Sequence, residues 1–436
     1  MKKGFKKLLQ EISIQNNLIY FIKWGVLSCI IGIVVGLVGV SFAYLINLAT
    51  WFWQNHSFAL FLLPLFGLVI AGIYHFNHAD TPRGTNWVID SISSGEQLPL
   101  RMAPVIYISS VLTHLGGGSS GREGAALQIG GSIGNFIAQV TGLGQNRFSD
   151  SSDKNIAVMC GMAACFSAVF GTPISATIFS MEVFSIGVMY HAALIPCLFS
   201  AYIAEGVASA LKLPPERFIV SSIPAWSVRS VLLMIALGAA TALAAILFAV
   251  CMKKSSQLYK KAFPNPFLRI IAAAGIFILL TLLTGTKEYN GGGFWLIEES
   301  MQGTVRNEAF LMKILFTSVI LGGGFKGGEI VPTFVIGATL GGAFARLTGL
   351  DYSLCTACGM VGAFVGVTNC PIASIFMGIE LCGSMGIHYY VIVVAVSFVL
   401  SGYYGLYSSQ KFAYSKTEAR YVGSKAADIR VRRRQS

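Results

Sequence analysis

Long uncharged stretches dominate this chain, and their lengths predict its elements. From Trp24 to Ala79 there is no Asp, Glu, Lys or Arg. Further uncharged runs cover Asn155–Met181, Val183–Ala204, Ser230–Met252, Tyr352–Ile379 and Leu381–Gln410. A helix of about 20 apolar residues spans the hydrocarbon core of a bilayer, so several runs must fold back as helical hairpins. Leu315–Phe325 looks too short to span. Continuous apolar runs replace the alternating pattern of a membrane barrel, which predicts an all-α membrane protein.

Composition agrees: of 436 residues, 54% are hydrophobic and only 11% charged, as in integral membrane proteins. The net charge of +12 collects between the apolar runs, at Lys2, Lys3, Lys6, Lys7, then Lys253, Lys254, Lys260, Lys261, and finally Arg430, Arg432, Arg433, Arg434. Basic short loops stay cytoplasmic, so both termini are expected in the cytoplasm after an even number of crossings. The basic tail directly follows a membrane run, and anionic lipid, not nucleic acid, is its expected partner. Nine cysteines lie in or beside apolar segments and read as buried free thiols. The CxxC at Cys355 and Cys358 lacks a second pair or a nearby histidine couple, the histidines show no metal-ligand spacing, and no cofactor is expected. The first apolar run is too long for a signal peptide and reads as a retained helix. No Ser-His-Asp order, metal cluster or phosphate motif suggests an enzyme.

The chain repeats itself. GMAACFSAVFGTPISATIFSME (Gly161–Glu182) aligns without a gap to GMVGAFVGVTNCPIASIFMGIE (Gly359–Glu380), 198 residues on. GREGAALQIGGSIG (Gly121–Gly134) likewise resembles GGEIVPTFVIGATLG (Gly327–Gly341). A period near half the chain indicates a duplicated bundle. The expected division is a first membrane repeat at 1–224, a second at 225–410 and a short basic tail at 411–436, with the break in the polar stretch Leu211–Ser227. Transporters pair such repeats with inverted topology, so that interrupted helices point their N-termini at a midplane site.

The chemistry concentrates in Gly116–Gly134, where Arg122 and Glu123 stand among eight glycines. Ionisable groups at membrane depth are costly and usually face a polar pathway. Glycine lets backbone N–H groups surround a small anion. A carboxylate beside such a nest competes with the anion and releases it on taking up a proton. The structural alternative is close packing of helices through small residues, with Arg122 and Glu123 paired at an interface. Four glycine-bearing starts or turns qualify as anion sites: Gly84-Thr85-Asn86-Trp87-Val88, Gly121-Arg122-Glu123-Gly124-Ala125, Gly327-Gly328-Glu329-Ile330-Val331-Pro332, and the aromatic turn Ser401–Tyr407.

This set, in this order, resembles the CLC family of anion channels and proton-coupled antiporters, from roughly Trp24 to Gln410. GREGA is similar to the family's G-K/R-E-G-P, GGEIVP to its G-x-F-x-P, and GTNWV stands where G-S-G-I-P occurs. The paired PISATIFSME and PIASIFMGIE match P-L-x-G-x-L-F-x-x-E in each half. The resemblance implies a CLC-type fold, with broken helices of two inverted repeats meeting at the midplane. It also implies a homodimer with a pathway in each subunit. Glu123 would be the gating and proton-transfer glutamate. Thr85, Asn86, Gly121, Gly124, Gly328, Ile330, Val331 and Tyr407 would bind the anion, with Glu329 and Arg122 beside the pathway.

Departures from the chloride pattern point to the fluoride–proton antiporter branch, and so to a bacterial plasma membrane. Asn86 follows Thr85, Glu329 precedes Ile330, and Val183 replaces the inner proton-relay glutamate. Ala125, Thr85 and Val331 depart in turn from that branch's own pattern. The expected function is halide movement, preferably fluoride–proton antiport, with a chloride channel or chloride–proton antiporter as the alternative. Fluoride is strongly hydrated, so polar lining must replace its water.

Several residues keep a second reading. Glu329 faces the pathway, is a surface carboxylate or pairs with Lys326. Glu182 and Glu380 read as structural groups that cap or pair. Tyr407 competes with Tyr414 for the central tyrosine, Thr85 also suits a helix cap, and Arg122 is expected to order its turn without touching the anion.

Overall fold

The computed structural model describes residues 14–77, 84–94, 98–142 and 151–429. The basic residues Lys2, Lys3, Lys6, Lys7, Arg430, Arg432, Arg433 and Arg434 lie outside the described residues.

The first half holds α1 (Ile14–Asn55), α2 (Leu63–Phe76), α3 (Thr85–Ser94), α4 (Met102–Leu115), α5 (Glu123–Val140), α6 (Ser151–Phe170), α7 (Pro173–Glu182) and α8 (Leu194–Ala210). The second holds α9 (Val228–Ala262), α10 (Pro266–Thr284), α11 (Phe294–Gln302), α12 (Ala309–Gly322), α13 (Ile330–Thr348), α14 (Tyr352–Thr368), α15 (Pro371–Cys382) and α16 (Ile387–Leu400). Seven helical segments among the described residues are long and apolar enough to cross a membrane. The uncharged run from Trp24 does double back, turning after Asn55 into a 3₁₀ turn at Ser57–Leu62 and then α2. Leu315–Phe325 falls in α12, one of the shorter apolar helices.

Local chemistry sets several boundaries. Ser227 and Ser230 form a reciprocal capping box that opens α9. Asn265 caps α10, with Pro266 at its first position, and left-handed Gly285 ends that helix. Asn369 takes φ +58 after α14, and Pro371 restarts the chain as α15, which breaks the run Tyr352–Ile379 in two.

Helices α5, α6, α13 and α14 form the centre, while α1, α2, α9 and α10 present Leu, Ile and Val outward. The central pairs pack through glycine in the same way in both halves. A methyl at Gly130 would stand 2.1 Å from the Gly161 carbonyl oxygen, and one at Gly337 2.2 Å from that of Gly359. No side chain fits either crossing, so the backbones touch directly.

The two Pro-Ile helices lock the halves together. Glu182, at the end of α7, accepts from the N–H groups of Ile372 (3.2 Å) and Ala373 (2.9 Å) in the first turn of α15. Glu380, near the end of α15, accepts from Ile174 (3.0 Å) and Ser175 (2.7 Å) in the first turn of α7, and from the Ser175 hydroxyl. Each carboxylate thus satisfies N–H groups that its partner helix cannot pair internally. Such exchanged contacts relate the halves as a two-fold axis would.

A small sheet adds to the helices. β1 (Ser185–Ile186) pairs in parallel with β2 (Lys411–Tyr414), which pairs antiparallel with β3 (Tyr421–Lys425). The segment read only as a basic tail is therefore folded against the helical body through residue 429.

Candidate functional site: a buried carboxylate where two glycine loops cross

The glycine turns of the two halves meet. Gly121 donates to the Gly328 carbonyl (2.7 Å) and Gly328 donates to that of Gly121 (2.5 Å), an isolated antiparallel bridge. This contact sets the starts of α5 and α13 side by side, and neither start carries a side-chain cap. Their first N–H groups and positive dipole ends are left for another acceptor. Thr85, at the start of α3, completes the group. A methyl at Gly124 would stand 3.0 Å from Gly328 Cα, 3.5 Å from Thr85 Oγ1 and 3.7 Å from the Glu329 nitrogen.

Glu123 is fully buried at this junction. Its Oε2 accepts from the Arg122 N–H at 3.0 Å. Its Oε1 has no hydrogen-bond partner and lies 3.6 Å from Arg122 Nε. The carboxylate thus curls back over its own helix start, in the place where a bound anion would meet the same dipole. Gly121 makes room for it, because a methyl there would stand 2.6 Å from Oε2 and 2.9 Å from Val331 Cβ. Val331 and Ile330 are fully buried beside the turn.

Arg122 orders the segment through three contacts: Nη1 donates to Asn47 Oδ1 (3.0 Å), and Nη2 to the Val169 carbonyl (3.2 Å) and Glu216 Oε1 (2.5 Å). The guanidinium therefore ties α1, α6 and the Leu211–Ser227 connection to the turn.

On the other side of the glycine crossing lies a cavity of about 580 Å³, reached by Thr85, Asn86, Gln128, Glu329, Lys253 and Lys326. Asn86 Oδ1 accepts from Ser409 N–H (3.0 Å) and the Ser408 hydroxyl (3.3 Å), so its amide nitrogen is the end left to donate. Gln128 hangs one turn beyond Gly124 and donates to its carbonyl at 3.0 Å. Glu329 forms no ion pair with Lys326, whose ammonium instead sits 4.5 Å over the Tyr74 ring. Tyr407 is buried and lies within Coulombic range of Glu329 and Glu123, whereas Tyr414 is half exposed on β2.

Three polar residues around the site escaped the sequence reading. Gln128 follows Gly124 by four positions and so shares its helix face, a signal present but unused. Glu216 stood in plain view within Pro214-Pro215-Glu216-Arg217, but nothing local tied it to Arg122. Asp90 binds the Ser409 hydroxyl (2.7 Å) and the Lys425 ammonium (2.8 Å), fastening α3 to the C-terminal sheet.

The sequence profile for voltage gated chloride channels matches residues 66–402. The chain belongs to this family. It is 32% identical over 404 residues to a chloride/fluoride channel protein of Pseudomonas syringae pv. tomato, covering 91% of this chain and 88% of that protein. An H+/Cl− exchange transporter of Yersinia pestis is 22% identical over 390 residues, covering 82% and 79%. Among solved structures, a CLC-type fluoride/proton antiporter superposes with a TM-score of 0.85 at 32% identity, over 90% of this chain and 98% of that one. A slow cyanobacterial Cl−/H+ antiporter follows at TM-score 0.72 and 17% identity, which bears on the fold alone. This CLC protein is accordingly an integral membrane protein of a transporter and channel family, with the CLC fold of two inverted repeats.

Proposed function

We propose that this protein exchanges fluoride for protons across the membrane, with Glu123 as the gate. The observation that carries the reading is the Glu123 carboxylate, buried where Gly121 and Gly328 cross and occupying the N-terminal end of α5. Charged, it fills the anion's place. Protonated, it has less to gain from the helix dipole and yields that place to a halide. Anion and proton then alternate at one position, which is the requirement for coupling.

A fluoride arriving through the Thr85–Glu329 cavity must lose its water. The Thr85 hydroxyl, the Asn86 amide and the free N–H groups near Ile330 and Val331 replace that hydration. Gly121 and Gly124 let it approach the backbone, and Tyr407 offers a ring edge with positive potential. Glu329 stands where a second carboxylate can pass a proton, and Arg122 holds the gate's turn in shape. The similarity to a fluoride/proton antiporter at 32% identity supports this choice over chloride. The pathway would run at the seam of repeats 1–224 and 225–410, in a homodimer with one pathway per subunit. Both termini would face the cytoplasm of a bacterium.

Purified protein in liposomes, loaded with fluoride or chloride and a proton-sensitive dye, tests the proposal. Fluoride efflux that drives protons the opposite way, with chloride slow, is the expected result. Fast chloride efflux without proton movement would make it a chloride channel, and chloride-driven proton movement a chloride–proton antiporter.

A further inference from the structure

A second cavity, of about 850 Å³, opens between α2 and α10, outside the one that reaches Thr85. Both helices face lipid, exposing Leu65, Leu68 and Phe76 on α2 and Leu268, Leu279 and Leu282 on α10. The lining has two chemistries. Ile70, Phe267 and Ile270 form an apolar wall, while Lys260, Arg269 and Lys326 enter from α9, α10 and the loop before α13. No Asp or Glu among the described residues lines this space.

Lys326 lies within Coulombic range of both Arg269 and Lys260. None of the three has a salt-bridge partner among the described residues. Like charges gathered together repel, and an anion relieves that repulsion. An arginine and two lysines suit a phosphate, the arginine by its planar fork and the lysines as point charges. The adjoining apolar wall suits a hydrocarbon chain, which a free phosphate lacks.

We propose that this cavity binds an anionic phospholipid, with its phosphate on Lys260, Arg269 and Lys326 and an acyl chain along α2 and α10. Basic pockets between membrane helices bind such headgroups by this combination. Tyr74, Lys260 and Lys326 also line the cavity that reaches Thr85, so lipid and transported anion would share one basic wall. The inference stands apart from the halide assignment.

The test is native mass spectrometry of the full-length protein released from mixed micelles of phosphatidylglycerol and phosphatidylcholine. The wild type should retain phosphatidylglycerol in preference to phosphatidylcholine. Lys260→Gln and Arg269→Gln should each weaken that retention about fivefold, the loss expected for one basic contact. Arg269→Lys should restore most of it, and Lys254→Gln, an equal charge change that lines neither cavity, should leave it intact. Equal retention of the two lipids would overturn the proposal. So would unchanged retention in the Lys260→Gln/Arg269→Gln double variant, or an equal loss in Lys254→Gln. Displacement of the lipid by millimolar inorganic phosphate would overturn the lipid as the source of the phosphate.

Discussion

Gly121 and Gly328, one from each half of the chain, donate a backbone hydrogen bond to each other's carbonyl at 2.7 and 2.5 Å. The bridge explains why both candidate anion turns are rich in glycine. A methyl at Gly328 would stand 2.6 Å from the Gly124 nitrogen and 2.9 Å from that of Glu123, backbone atoms that cannot step aside. Close approach, more than conformational freedom, is what these glycines provide.

Gly328→Ala should therefore lower stability by about 1–3 kcal/mol, the usual range for overpacking, and abolish transport with it. Gly275→Ala, in the middle of α10 with open space around its would-be Cβ, should instead hold or gain up to about 1 kcal/mol. Thermal unfolding of the two variants in one detergent compares them directly. Equal melting temperatures would show that the crossing is looser than described.

Glu123→Gln keeps the shape of the gate and removes its charge. Fluoride should still move, and proton movement against it should vanish. Liposomes with a fluoride gradient and an internal pH dye give the readout. Proton pumping that persists in this variant would remove Glu123 from the coupling step.

The crossed caps predict a matched pair of losses. Glu182→Ala leaves the N–H groups of Ile372 and Ala373 without their acceptor, and Glu380→Ala does the same to Ile174 and Ser175. Hydrogen bonds to a charged group contribute about 1.5–3 kcal/mol, so each variant should lose stability on that scale. Denaturation curves of the two variants should shift together. A loss confined to one of them would show that the caps are unequal despite their mirrored geometry.

The C-terminal sheet should affect transport more than stability. Lys425 pairs with Asp90 at 2.8 Å with its side chain 40% exposed, and such pairs contribute about 0.2–1 kcal/mol. Asp90 lies on α3, whose first residues are Thr85 and Asn86, and Ser409 holds both Asp90 and Asn86. Lys425→Ala should cut halide flux roughly fivefold, equivalent to about 1 kcal/mol at the barrier, while the melting temperature barely moves. Flux at the wild-type level would show that Ser409 alone positions α3.

Much of this was legible in the residues. Uncharged runs mark membrane helices because desolvation of charge is costly wherever it occurs, and the turn after Asn55 follows from a run too long for one crossing. The duplicated Pro-Ile segments announced two halves, and Arg122–Glu123 among glycines singled out the turn that meets Gly328. The glycines' second role, direct backbone contact between α5 and α6 and between α13 and α14, was equally open to reading, since small residues permit it.

The pairings were not legible. Glu182 and Glu380 were visibly matched, yet that each caps the other's helix depends on partners 190 to 206 positions away. Tyr407 and Tyr414 looked alike on paper, and only packing buries the first and leaves the second half exposed on a strand. Residues 411–429 read as a tail because their strands are short and their pairing partner, Ser185–Ile186, is remote. Hydropathy and turn chemistry are local, so the sequence alone determined the membrane class, the helices and the glycine turns. Which charge meets which acceptor was decided by how the two halves pack face to face, a long-range outcome that residue spacing does not encode.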